Sequence, residues 1–193
     1  ISWTANLGVG ALMFGFLGGF VLAMVNTFSQ KIRPGLIMAY AAFEGLALGT
    51  LSNFYETIYP GIVSQAVIGT LAAFAGVLFM YRSGRLRATP KFTRVLMGAA
   101  IGYIVLGLAS FISSFFGVGG GYGFYGTGIG LLLAVGGVVI ASLFLVLDFD
   151  QIENAIRAGV PETESWRAGF GLMVTLVWLY LEILRLLSIL RRD

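Results

Sequence analysis

Four ionisable residues lie within, or at the end of, long apolar stretches of this sequence. Glu44, Glu182 and Arg185 each lie inside such a stretch, and Asp148 ends another. A charged side chain within a bilayer costs roughly 2.5–3.5 kcal/mol on insertion scales, so such residues are rare and usually functional. These four residues are therefore the candidate functional residues if the chain spans a membrane.

The composition predicts a polytopic membrane protein. Hydrophobic residues make up 58% of the chain and charged residues only 11%, and 28 glycines suit the close packing of membrane helices. The absence of Cys and His excludes disulfides, thiolate chemistry and the commonest transition-metal ligand. The net charge of +3 arises from basic residues in loops. These loops indicate topology, and we expect no nucleic-acid partner.

A bilayer core requires roughly 20 apolar residues of helix. Stretches of this length predict an all-α membrane bundle that forms a single transmembrane domain over residues 1–193, with spans at 7–29, 36–55, 61–81, 95–116, 128–148 and 169–190. A glycine-rich segment at 117–128 divides the uncharged stretch 95–147, and we predict that it is a flexible external loop. Because the sequence begins at Ile1, we expect that the chain has been trimmed at its N-terminus.

The basic residues predict the orientation of the chain. They follow the first and third spans, at Lys31, Arg33, Arg82, Arg85, Arg87, Lys91 and Arg94. The positive-inside rule places these loops, and with them loop 149–168, in the cytoplasm. Both chain ends are then external. Arg191 and Arg192 would lie at the external side, where the positive-inside rule predicts few basic residues.

Helical periodicity indicates which way each acid faces. Asp148 shares a face with the apolar residues Ala141, Phe144 and Leu145, so we expect it to point inward. Asp150 lies on the opposite, solvated side. Glu182 lies roughly 18 Å along the last span, near the middle of the membrane.

Each of the other buried charges also has a purely structural interpretation. Arg185 follows Glu182 by one turn, and the two could form a pair that only neutralises itself. Glu44 could be a buried, protonated acid that is hydrogen-bonded to a neighbour. It lies beside a stripe of small residues suited to close helix contact, namely Ala41, Gly45, Gly49 and Ser52.

Several carboxyl groups in a low-dielectric interior cannot all ionise cheaply, because burial and like-charge repulsion both oppose ionisation. At least one should therefore exchange its proton near neutral pH. When ionised, Asp148 and Glu182 could also bind a hard cation such as calcium, which prefers oxygen ligands. This chemistry predicts a proton-sensitive or cation-sensitive pore.

Three segments resemble the Bax inhibitor (transmembrane Bax inhibitor motif) family. Leu-Asp-Phe-Asp-Gln-Ile at 147–152 resembles the motif that ends the family's penultimate helix. Leu-Tyr-Leu-Glu-Ile-Leu at 179–184 is similar to a Leu-Tyr-Leu-Asp stretch of its final helix. Phe-Glu-Gly-Leu-Ala-Leu at 43–48 is similar to a segment of its third helix.

The resemblance implies a seven-helix fold with the last helix at its centre. It also implies a pH-sensitive calcium leak channel in which two acids share a proton and gate the path, and these acids map to Asp148 and Glu182. The sequence departs from the family in three ways. Glu182 replaces the usual Asp, the family's first helix is missing, and Lys31 is only a loose counterpart of a basic residue that follows the second helix.

Other classes of protein fit the sequence less well. An intramembrane serine protease needs a His or a buried Lys, and an aspartyl protease needs two membrane Asp residues, so we expect no enzymatic activity and no cofactor. A proton-coupled carrier and a non-conducting regulatory protein remain the alternatives to a channel. The expected partners are the lipid bilayer, calcium ions and protons, and the expected location is a bacterial plasma membrane.

Overall fold

The computed structural model describes residues 9–29 and 31–192, and every regular element within these ranges is helical. The long helices are α1 (Val9–Phe28), α2 (Pro34–Ile58), α3 (Ile62–Arg82), α4 (Pro90–Phe115), α5 (Gly130–Arg157) and α6 (Glu164–Leu190). All six are long and apolar enough to cross a membrane, which confirms the predicted helical membrane bundle. Residues 7 and 8 of the first predicted span, and Ile1, lie outside the described residues.

Helices α2, α4, α5 and α6 extend by several residues beyond the apolar stretches that predicted them. Helix α5 continues nine residues past Asp148 to Arg157, and α6 begins at Glu164, five residues before its predicted span. The polar end of α5 is held by its own contacts, since Glu153 forms an ion pair with Arg157 and accepts a 2.5 Å hydrogen bond from Tyr81 of α3. Hydropathy therefore identified the apolar part of these helices and left out their polar ends.

The centre of the bundle is formed by α5 and α6, which pack against α3. The side chains of Ile62, Leu145, Leu179 and Leu184 are at most 1% exposed there. Helix α2 also contacts α6, because the Tyr40 and Phe170 rings are 5.1 Å apart and the Ser52 and Tyr180 hydroxyls are 2.6 Å apart. The last helix thus contacts several others, as the family resemblance implies.

The closest approach between α1 and α2 depends on glycines of α1. A Cβ atom at Gly15 would lie 2.8 Å from the backbone nitrogen of Ala47, and one at Gly19 would lie 2.7 Å from Oε2 of Glu44. In contrast, a Cβ at Gly45 would meet nothing within 4 Å. Sequence periodicity predicted a close-contact stripe on α2 that included Gly45. In the structure, the glycines that permit the closest approach of the two helices are Gly15 and Gly19 of α1.

The polar residues at the predicted external end of the bundle form contacts with neighbouring parts of the chain. Glu56 caps the start of α3 by accepting hydrogen bonds from the backbone N–H groups of Gly61 (2.6 Å) and Val63 (3.1 Å). Arg191 donates to the carbonyl oxygen of Pro60 at 2.8 Å. The Arg192 guanidinium lies 3.9 Å from the centre of the Tyr122 ring. Specific contacts therefore hold Arg191 and Arg192 at this end, although the positive-inside rule does not favour basic residues there.

We predict that replacement of Gly15 by Ala destabilises the protein, because the new methyl group would strike the backbone of α2. Overpacking of this kind typically costs about 1–3 kcal/mol. The matched control is Gly45→Ala, which should be neutral or stabilising by up to about 1 kcal/mol because Ala is the better helix former. Thermal unfolding of the purified protein in detergent measures both changes. Equal melting temperatures for the two variants would contradict the packing.

Candidate functional site

Glu182 is bound by three side chains in the interior of the bundle, where it is 3% exposed. Tyr103 of α4 donates a 2.7 Å hydrogen bond to Oε2, and Trp178 donates a 3.1 Å hydrogen bond from Nε1 to Oε1. Arg185 lies one turn further along α6, and its Nη1 is 3.1 Å from Oε1 and 3.0 Å from Oε2. Each carboxylate oxygen therefore has two donors, the arrangement that a buried charge requires.

Gly137 of α5 makes room for this cluster. A Cβ atom at this position would overlap the Tyr103 hydroxyl oxygen and Oε2 of Glu182, whereas one at the neighbouring Gly136 would meet nothing within 4 Å. Because residue 137 has no side chain, the Glu182 carboxylate of α6 can lie next to the α5 backbone and reach the Tyr103 hydroxyl of α4.

Tyr125 links the cluster to the segment between α4 and α5. This segment, predicted to be a flexible external loop, folds into two short turns, Val118–Gly121, in which Gly119 and Gly120 have positive φ angles of 60° and 65°, and the 3₁₀ turn Gly123–Gly126. The Tyr125 hydroxyl donates to that of Tyr103 at 2.9 Å, and the Arg185 guanidinium lies 4.5 Å from the centre of the Tyr125 ring. The glycine-rich segment therefore supplies part of the candidate site.

Asp148 lies in a different environment, between α5 and α6. The Thr175 side chain lies within hydrogen-bonding reach of its carboxyl group, and the Thr175 hydroxyl is also 3.2 Å from the carbonyl oxygen of Gly171. The Oδ2 atom is buried and has no hydrogen-bond partner among the described residues. A buried carboxyl oxygen without a donor is costly, which marks Asp148 as a position that requires a proton, water or a cation.

The structure does not bring Asp148 and Glu182 together. Gly137, which adjoins Glu182, precedes Asp148 by eleven residues of α5, a separation of roughly 16 Å along the helix axis. The hydrogen bonds of Glu182 go to Tyr103, Trp178 and Arg185, and none goes to Asp148. The direct sharing of one proton that the family resemblance implies is therefore not the arrangement in this structure.

Glu44 lies at the interface of α1 and α2, outside the cluster around Glu182. It is 9% exposed and makes no hydrogen bond or ion pair with the part of the chain that the structure describes. The contact between Tyr40 and Phe170 fixes the register of α2 on α6. By this register Glu44 lies at about the depth of Thr175, and hence of Asp148. The partner expected of a protonated Glu44 is absent from residues 9–29 and 31–192.

A cavity of about 320 Å³ lies beside the Glu182 cluster, where Tyr103, Trp178 and Arg185 contribute to its lining. No group of three or more Asp, Glu, His or Cys side chains that could hold a metal ion occurs within the described ranges. Calcium takes six to eight oxygen ligands. The described residues around Asp148 and around Glu182 do not supply a ligand set of that size.

Several members of the site were not identified as such from sequence. Tyr103 and Tyr125 lie in or next to an uncharged apolar stretch, and a hydroxyl in that setting is the signal that could have marked them. Thr175 lies two turns before Glu182 on α6 and was not singled out from sequence, and in the structure its side chain lies next to Asp148. Gly137 gave no signal, because several glycines lie in the same span.

Comparison with known proteins agrees with this architecture. A stretch of 97 residues is 28% identical to an uncharacterized protein of Chlamydia muridarum (strain MoPn / Nigg), and the match covers 50% of this chain and 41% of that protein. The family described as Bax inhibitor 1 like matches residues 1–192. Together with the six membrane-spanning helices, this match shows that the chain is a multi-pass membrane protein of the Bax inhibitor 1 like family.

Proposed function

We propose that the protein is a pH-sensitive calcium leak channel in which Asp148 and Glu182 control the path in series. Asp148 would act in the predicted cytoplasmic half of the bundle and Glu182 in the external half. This proposal keeps the two acids that the family resemblance marks, but replaces a shared proton by two separate sites of control.

The unpartnered Oδ2 atom of Asp148 is the observation that carries the proposal. An ionised carboxylate at this buried position would attract a cation, because Coulomb interactions strengthen as the surroundings become less polar. A protonated carboxyl group would offer no such attraction. Among the described residues, the hydrogen-bonding neighbour of this carboxyl is the neutral Thr175 side chain. The charge state of the Asp148 carboxyl group would therefore respond to protons or cations rather than to a fixed basic residue.

The cluster around Glu182 supports a closed state. Arg185 neutralises the carboxylate, and the donors Tyr103 and Trp178 come from α4 and α6. A guanidinium next to the path would repel calcium electrostatically. Opening would require Arg185 to leave this position, so that the carboxylate can face the passing ion.

We predict that Asp148→Asn and Glu182→Gln both change calcium flux strongly. In liposomes, the flux of the unchanged protein should rise with external pH as carboxyl groups lose their protons. Asn at residue 148 cannot ionise, so flux at alkaline pH should fall by about tenfold, which corresponds to about 1.4 kcal/mol of lost attraction. Gln at residue 182 should flatten the pH dependence. The matched control is Asp150→Asn. Asp150 lies on the same helix as Asp148, but its carboxyl group accepts a 2.9 Å hydrogen bond from the Asn154 side chain.

The same measurement separates the alternatives. Saturable exchange that requires a proton gradient would indicate a proton-coupled carrier. An absence of flux in every variant would indicate a non-conducting regulatory protein. Flux that Asp148→Asn and Glu182→Gln leave unchanged would refute the roles proposed for the two acids.

We predict that Arg185→Leu moves the midpoint of the flux-against-pH curve to higher pH. Without the guanidinium, the Glu182 carboxylate loses the opposite charge that compensates it, and a negative charge at this buried position becomes more costly. The control is Arg85→Leu, which removes the same charge from the exposed loop after α3. If the Arg185→Leu midpoint coincides with that of Arg85→Leu, Arg185 does not act on Glu182.

Gly137→Ala tests the geometry of the cluster without removing a charge. The added methyl group would displace the Glu182 carboxylate or the Tyr103 hydroxyl, and we predict that the pH dependence of flux weakens. Gly136→Ala adds the same methyl group where it meets nothing within 4 Å, and should leave flux unchanged. Flux is measured in the same liposomes, with protein content matched between samples. Identical curves for the two variants would show that the position of Glu182 does not control flux.

A further inference from the structure

A second cavity lies on the other side of Arg185, at the predicted external end of the bundle. Its volume is about 120 Å³, and its lining comprises Tyr55, Tyr122, Tyr125, Arg185, Ser188, Ile189 and Arg192. The lining contains two guanidinium groups, three phenol groups and no acidic side chain. This composition is unusual for a surface within an apolar bundle, and favours an anionic ligand.

The two arginines lie on one face of α6. Residues 185 and 192 are seven apart, which is two helical turns and roughly 10 Å along the axis. Each guanidinium stacks on a tyrosine ring, at 4.5 Å for Arg185 on Tyr125 and 3.9 Å for Arg192 on Tyr122. Stacking holds the planar groups in place and leaves N–H groups at their edges to bind a ligand, apart from Nη1 of Arg185, which donates to Glu182.

The described residues that line the cavity, together with Glu182, give it a positive charge. Glu182 neutralises Arg185 at 3.0 Å, whereas Arg192 forms no ion pair with any of the described residues. The C-terminal end of α6 contributes a partial negative charge of about half an elementary charge. One full positive charge outweighs this partial charge, so the cavity still attracts an anion.

Two hydroxyl groups are also available to a ligand. The Tyr125 hydroxyl is committed to Tyr103, and that of Ser188 donates to the carbonyl oxygen of Arg185 at 2.7 Å. The hydroxyls of Tyr55 and Tyr122 make no hydrogen bond with the described part of the chain. The volume corresponds to about four water molecules at about 30 Å³ each, which suits a tetrahedral oxyanion.

We propose that this cavity binds a phosphate group, held between Arg185 and Arg192 with Tyr55 and Tyr122 as further donors. A guanidinium can bind two phosphate oxygens at once, and a tetrahedral phosphate has oxygens enough for both arginines. The phosphate could belong to an anionic lipid headgroup at the membrane surface or to a free phosphate ion. The same donors would serve both.

Occupancy of the cavity would be linked to the state of Glu182, because Arg185 belongs to both sites. A phosphate that draws the guanidinium toward the cavity weakens its pairing with Glu182, and the effect must be reciprocal. Trp178 can report this change, because its indole N–H donates to Oε1 of Glu182 at 3.1 Å. The binding proposal itself does not depend on ion flux.

The test titrates the purified 193-residue chain with two probes, inorganic phosphate and a short-chain phosphatidylglycerol, in neutral detergent. Binding is read from Trp178 emission after Trp3 and Trp166 have been replaced by Phe, and independently by equilibrium dialysis of labelled phosphate or lipid. We expect saturable binding of at least one probe. Arg192→Gln should raise the half-saturating concentration by about tenfold or more, because it removes a positive charge and a guanidinium donor from the lining of the cavity.

The matched control is Arg85→Gln, which changes the net charge equally at a distant exposed position and should bind like the unchanged chain. Tyr55→Phe is a second, milder variant that should weaken binding several-fold while keeping the fold. Binding of inorganic phosphate alone would assign the site to the free ion. Binding of phosphatidylglycerol alone would assign it to a lipid headgroup. Saturation by neither probe in dialysis, or equal weakening by Arg192→Gln and Arg85→Gln, would overturn the proposal.

Discussion

The neutralisation of Glu182 inside the bundle is the interaction on which the centre of this structure depends. A carboxylate that is 3% exposed requires an opposite charge and further donors, and here Arg185, Tyr103 and Trp178 supply them. This requirement explains why α4 approaches α6 through Tyr103. It also explains why α5 carries a glycine at residue 137, where a Cβ atom would overlap the carboxylate.

The position of Arg185 joins features that would otherwise be unrelated. Its guanidinium pairs with Glu182 and stacks on Tyr125 of the glycine-rich segment, and it borders both the larger cavity and the external one. Asp148, by contrast, lies eleven residues of α5 beyond Gly137, and its Oδ2 atom has no hydrogen-bond partner among the described residues. The two acids thus differ in their surroundings, since both oxygens of Glu182 have donors, whereas Asp148 has the Thr175 side chain as a neighbour and one oxygen without a donor among the described residues. That difference favours separate roles for them over a single shared proton.

Much of the fold follows from the sequence through simple physics. Because backbone groups cannot remain unpaired in lipid, apolar stretches of about 20 residues must form helices, and all six predicted spans are present. The same rule located Glu44, Asp148, Glu182 and Arg185 within helices. It could not define the helix ends, because polar residues such as Glu153 and Glu164 form helical turns beyond the apolar stretch. Those turns depend on contacts such as the hydrogen bond between Tyr81 and Glu153.

The sequence by itself determined which residues carry charge into the membrane, and the spacing of Glu182 and Arg185 was enough to indicate their pairing. Only the tertiary structure decided which helix meets which, and at what height. Periodicity gives the direction of a side chain around its own helix but not the register between helices, which depends on close packing at positions such as Gly15 and Gly137. For this reason the sequence could mark Asp148 at the end of its span and Glu182 near the middle of the membrane, but could not show which side chains surround each acid or that the two make no contact. It also could not show that Tyr103 and Tyr125, distant in sequence from α6, complete the surroundings of its buried charges.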